Sequence, residues 1–63
     1  MNFYRVIAIN RNNNSIIGNR CCCGIKDLRT YTNNTIHYSY NAKGWWGFDY
    51  NKNIEYLAQK MEV

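Results

Sequence analysis

Asn41-Ala42-Lys43-Gly44 interrupts a stretch rich in β-branched and aromatic residues, and this interruption constrains the fold more than any other feature of the chain. An Asn-x-x-Gly segment between alternating runs reads as a hairpin loop, a type I turn followed by a glycine in the left-handed region. Before the loop, Ile36, Tyr38 and Tyr40 alternate with Thr35, His37, Ser39 and Asn41, the period of a strand. With Gly44 as the left-handed residue, Tyr40 faces Trp46, Tyr38 faces Phe48 and Ile36 faces Tyr50, all on one side. His37 then faces Asp49 and Ser39 faces Gly47 on the other side, which also carries Trp45.

The N-terminal part reads as a second hairpin. Phe3 to Ile9 is a strand with apolar residues on both faces, so it belongs in a central or doubly covered position. Asn10 to Asn14 is a turn, because Asn tolerates left-handed backbone and bonds its own main chain. Ser15 to Cys22 returns as a strand in which Gly18 marks a bulge or a close approach. Residues 25–32 fit two templates. They can form two helical turns with Ile25, Leu28 and Arg29 on one face. Thr30, Tyr31 and Thr32 favour instead a strand over Leu28–Thr32, turning at Asn33-Asn34. In the C-terminal segment, Ile54, Leu57, Ala58 and Met61 fall at helical spacing, so Lys52 to Glu62 is expected as a helix capped by Asn51 or Asn53. The expected fold is α+β: one domain over residues 1–63, a small antiparallel meander of four or five strands and two hairpins, with one C-terminal helix packed on the sheet.

A chain of 63 residues hides only ~60 % of its extended-chain surface, so its core is thin. That size excludes a multidomain enzyme. The thin core and the two-sided first strand point to a homodimer. No basic leader opens the sequence, and no run approaches the ~18 apolar residues of a membrane helix. A cytoplasmic protein with reduced thiols and no membrane partner is therefore expected.

The net charge is +4, but the eight basic residues are dispersed. Cys21, Cys22 and Cys23 are consecutive, an odd set without the spacing of a disulfide framework or a zinc knuckle. Neighbouring strand residues point to opposite faces, so only Cys21 and Cys23 can converge. The three are expected to act as small buried hydrophobes, with no metal and no cofactor. His37 beside Asp49 is half of a hydrolytic triad, but no glycine elbow accompanies it and Ser39 lies ~7 Å along the same strand. No enzyme activity is expected.

The aromatic residues carry the functional reading. Asn41 to Phe48 resembles the RNA-binding motif of cold-shock domains, which implies base stacking by Trp45 and Phe48 and a phosphate contact from Lys43. The segment departs from that motif by an inserted Trp and by the lack of three following barrel strands. Gly44-Trp45-Trp46-Gly47 also resembles the paired tryptophans of SH3 domains, without their acidic loop or Pro-x-Asn-Tyr segment. In length, Asn-rich coding and Tyr/Trp content, the chain resembles small phage and mobile-element proteins, many of which inhibit bacterial defence. This resemblance implies a protein that works by stoichiometric occlusion of a host defence or regulatory protein. Trp45, Tyr31, Arg29 and Lys43 are the expected contact residues. The alternative is a small single-stranded nucleic-acid binder using the aromatic hairpin 36–50 and the basic surface.

Overall fold

In a computed structural model, which describes residues 2–41 and 43–61, the chain runs β1 (Phe3–Asn10), β2 (Ser15–Cys23), α1 (Gly24–Tyr31), β3 (His37–Ser39), β4 (Gly44–Asp49) and β5 (Ile54–Met61). All five strands join one antiparallel sheet in the order β2-β1-β5-β4-β3. The α+β class and the small antiparallel sheet match the expectation. The connectivity is not a simple meander, because β5 inserts between the two hairpins.

The largest correction concerns the C-terminal segment. No helix forms at residues 52–61; Ile54–Met61 is the central strand β5, and Glu62 lies outside the described residues. The segment fits both periods: Ile54, Tyr56 and Ala58 also alternate along a strand. Its Glu, Leu, Ala, Gln and Lys residues favour a helix locally, but two neighbours override them. β5 pairs with β1 from Phe3↔Met61 to Asn10↔Ile54, and with β4 from Trp45↔Ala58 to Asp49↔Ile54. The reversal that brings it back is chemically specified. Asp49 Oδ1 accepts backbone N–H bonds from Asn51 (3.0 Å) and Lys52 (3.3 Å), and Asn53 takes a left-handed φ of 56°.

Residues 24–31 are helical, so the strand favoured over Leu28–Thr32 is overturned. Gly24, at φ 83°, turns the chain out of β2 and donates its N–H to the Asn2 carbonyl at 2.8 Å. Asp27 Oδ2 accepts the Cys23 N–H at 3.0 Å, closing the first turn. Asn33 and Asn34 do take positive φ, at 55° and 59°, but they end a helix rather than turn a hairpin. Asn34 N–H reaches back to the Arg29 carbonyl at 2.8 Å, and the buried Thr32 hydroxyl donates to Leu28 O at 2.8 Å. Leu28 is fully buried on β1 and β2, with Ile25 and Tyr31 packed beside the core.

The first hairpin forms as expected. Its bulge falls where Ala8 pairs with Gly18 and Ile9 with Ile16, leaving Ile17 extra. At Gly18 the Tyr31 hydroxyl lies close over the strand, in the space that a Cβ would take, with the Ala8 Cβ at 3.3 Å from that position. The second hairpin also forms, but in a different register: His37↔Trp46, Tyr38↔Trp45 and Ser39↔Gly44. Lys43, not Gly44, takes the left-handed position (φ 53°), and Gly44 begins the strand. Packing sets this choice. Trp45 must reach Tyr4 in the core, and Gly47 must lie under the loop of residues 32–36, where a Cβ would sit 2.6 Å from the Thr35 carbonyl oxygen. The shift dissolves the expected His37–Asp49 pair. His37 faces Trp46, while Asp49 is buried on the core side.

The core therefore lies on one face of the sheet, built from Tyr4, Val6, Ala8, Cys22, Leu28, Ile36, Tyr56 and Ala58. Of the cysteines, only Cys22 is buried, which corrects the expectation for the flanking two. Gly47→Ala is expected to cost about 1–3 kcal/mol through overpacking against Thr35, read as a lower urea midpoint; an unchanged midpoint would mean that the loop does not seat there. Burial, reinforced by Asp27, raises the Cys22 pKa, and burial, reinforced by Asp49, raises that of Tyr56. Both acids hold their protons more tightly when folded, so the unfolded chain binds fewer protons at high pH. Stability is then intact below pH 9.0, the ordinary thiol value, and falls as pH rises above it. Urea titrations across that range should show the fall, and Cys22→Ala should remove the part that begins with the thiol.

Candidate functional site: the open sheet face

The molecule measures 34 × 22 × 18 Å. A thickness of 18 Å holds one sheet and one helix layer, and α1 packs on the β1–β2 end of one face only. Among the described residues, no element packs over the opposite face. Register places Phe3, Arg5, Ile7 and Ile9 of β1 on it, beside Met61, Gln59, Leu57 and Glu55 of β5. Trp46 and Phe48 of β4 and His37 of β3 extend it. Its central row runs Ile7–Leu57–Trp46–His37 across four strands. Leu57 is 37 % exposed and Met61 39 %, although β5 is the middle strand of the sheet. Soluble monomers seldom leave a continuous apolar band of this kind uncovered.

Rings line one side of this face. His37 meets Trp46 edge-on at 5.5 Å, Trp46 stacks on Phe48 at 6.4 Å and 29°, and Phe48 meets Tyr50 at 4.8 Å. Glu55 anchors the row: its Oε2 accepts the Trp46 Nε1–H at 2.7 Å, and its Oε1 pairs with the Arg11 guanidinium. Arg11 also donates to Asn14 Oδ1 at 3.1 Å, which ties the β1–β2 turn to the ring row. Between the rings and β1 lies a groove of about 410 Å³ lined by Arg5, Ile7, Gly44, Trp45, Leu57, Ala58 and Gln59. Gly44 leaves the space. Arg5 and Gln59 are the polar residues of the groove lining, and Arg5 makes no ion pair among the described residues.

The four expected contact residues do not converge. Trp45 points to the helix side, edge-on to Tyr4 at 5.9 Å and to Tyr38 at 5.7 Å. Lys43 sits near it, in a second recess with Tyr4, Tyr38, Gln59 and Lys60. Tyr31 packs edge-on against Tyr56 at 5.9 Å and lies under the Arg20 guanidinium at 4.8 Å. Arg29 is exposed in the last turn of α1, remote from the hairpin loop in the chain. The grouping of Trp46, Phe48 and Tyr50 was readable from the hairpin pattern. Ile7 and Leu57 were missed as residues of this face, because Leu57 was expected in the apolar stripe of a C-terminal helix and Ile7 on a strand covered on both sides.

No protein-family model, no curated protein and no solved structure matches this chain. Among the described residues, no helix is long and apolar enough to cross a membrane.

The two tryptophans are expected to separate in a stability assay. Trp45→Ala removes packing on Tyr4 and should cost about 2–4 kcal/mol. Trp46→Ala loses one hydrogen bond and a surface stack, about 1 kcal/mol. Equal losses in urea unfolding would contradict the assignment of the two faces.

Proposed function

We propose that this chain is a small protein-binding module that acts by stoichiometric occlusion, and that its contact surface is the open face of the sheet. The observation that carries this reading is the Ile7–Leu57–Trp46 row on the central strands, in which Leu57 is exposed and Ile7 and Trp46 are half-buried. The broad face of the molecule is on the order of 700 Å², near the ~800 Å² per partner of a standard interface. Trp46, Phe48 and Tyr50 are the residue types that dominate binding energies, set beside an apolar centre. Arg5, without an ion pair among the described residues, selects a partner that brings a carboxylate to the groove, and the net charge of +4 favours its approach. The resemblance to small phage proteins directs the proposal to a bacterial defence or regulatory protein.

The charge layout ranks the nucleic-acid alternative lower. A stacking platform for single strands needs cations along the backbone track. On the ring row the basic group is Arg11, and it is neutralised by Glu55. Lys43 and Lys60 lie away from that row, in the recess with Tyr38 and Trp45; Lys26 and Arg29 lie on the helix, and Arg20 pairs with Asp27 there.

The test is affinity capture with the tagged protein from a bacterial lysate, with and without nuclease, in parallel with Leu57→Lys. One protein retained in stoichiometric amount after nuclease, and lost with Leu57→Lys while Arg29→Ala retains it, supports the proposal. Recovery of nucleic acid with every protein lost on nuclease treatment would promote the alternative. A homodimer in light scattering that Leu57→Lys dissociates would assign the face to a second copy and overturn the occlusion reading.

A further inference from the structure

We propose that Cys21, Cys23 and Met61 form a binding site for a soft monovalent cation, Cu(I). Cys21 and Cys23 alternate along β2, so both side chains stand on the open face, where the two residues pair with Arg5 and Phe3 of β1. Met61 stands on the same face, opposite Phe3 on the other side of β1. Its thioether reaches across that strand to within 4.0 Å of the Cys21 sulfur. Register places Cys23 on the same face, directly opposite Phe3, and all three residues are solvent-exposed. The sequence alone cannot show this set, because its third member lies 40 residues from Cys21.

The ligand chemistry selects the ion. Two thiolates and a thioether are soft donors, which favour Cu(I) over ions that need imidazole or carboxylate. Among the described residues, no group of three or more His, Cys, Asp or Glu side chains is placed to hold a metal, so a four-coordinate zinc site has no counterpart here. A disulfide is also disfavoured. Same-face strand neighbours have Cβ atoms about 6.7 Å apart, whereas a disulfide needs about 3.5–4.5 Å. An ion held at ~2.3 Å from each sulfur spans the gap that a covalent bond does not.

Binding replaces two thiol protons: Cu(I) plus two thiols gives a dithiolate complex of charge −1 and two released protons. Arg5, opposite Cys21 on the same face and without an ion pair among the described residues, supplies the balancing positive charge. Affinity should therefore rise with pH.

The experiment is an anaerobic titration of the reduced full chain with Cu(I) against a chromophoric Cu(I) chelator, with circular dichroism to confirm folding. The expected result is one Cu(I) per chain. Binding should fall at least ~10-fold in Cys21→Ser and in Cys23→Ser, and ~10-fold in Met61→Leu, since losing even a partner that only orients a ligand costs ~10–100-fold. Cys22→Ala, whose thiol is buried on the other face, should bind as the parent does. No transfer of copper from the chelator would overturn the proposal. So would unchanged binding in folded Cys21→Ser or Met61→Leu, or a stoichiometry of one ion per two chains.

Discussion

The pairing of β5 with two neighbours at once holds this molecule together. β1 and β2 form one hairpin and β3 and β4 another, and neither hairpin is stable by itself in water. Strand Ile54–Met61 joins them by adding a ladder to β1 over eight residue pairs and a second to β4 over five. Its inward side chains, Tyr56 and Ala58, then lie beside Val6 and Ala8 in the only core that the described residues build. Everything on the helix side depends on that placement. Leu28 has a floor to pack on, and Gly47 is positioned to let the Thr35 backbone cross β4.

The same placement creates the open face. A strand alternates its side chains, so a segment that sends Tyr56 and Ala58 inward must send Leu57 and Gln59 outward. One eight-residue helix and one short loop cannot cover both sides of a five-stranded sheet. The apolar outward residues of β1 and β5 are therefore left to solvent or to a partner. The face is chemically divided: rings anchored by Glu55 at one side, a groove with Arg5 in the middle, and the Cys21–Met61 sulfur contact beside Phe3 at the far corner. The protein-binding reading uses the first two regions, and the copper reading uses the third together with Arg5.

Local chemistry made part of this legible in the sequence. Asn residues specify reversals directly: of the five non-glycine residues with positive φ among the described residues, four are Asn14, Asn33, Asn34 and Asn53, and the fifth is Lys43. The strand Phe3–Asn10, the Asn10–Asn14 turn and the Gly18 bulge follow from such signals. What was illegible depended on distant packing. Residues 54–61 satisfy helix and strand periods equally, and only two partner strands decide between them. The hairpin register followed turn preference in the sequence, yet it is set by Trp45 on Tyr4 and by Gly47 under Thr35. That shift moved Tyr38 to the core side and separated His37 from Asp49. The candidate site suffered most, because the expected helix would have covered the very face over which no element packs among the described residues.

The central claim is that residues 54–61 form the middle strand. Cross-strand nuclear Overhauser effects in the isotope-labelled protein test it directly. The account predicts contacts from Leu57 to both Ile7 and Trp46, and from Ala58 to both Val6 and Trp45. A run of sequential amide–amide contacts through 54–61, with none to β1 or β4, would show a helix there and contradict both the sheet and the open face built on it.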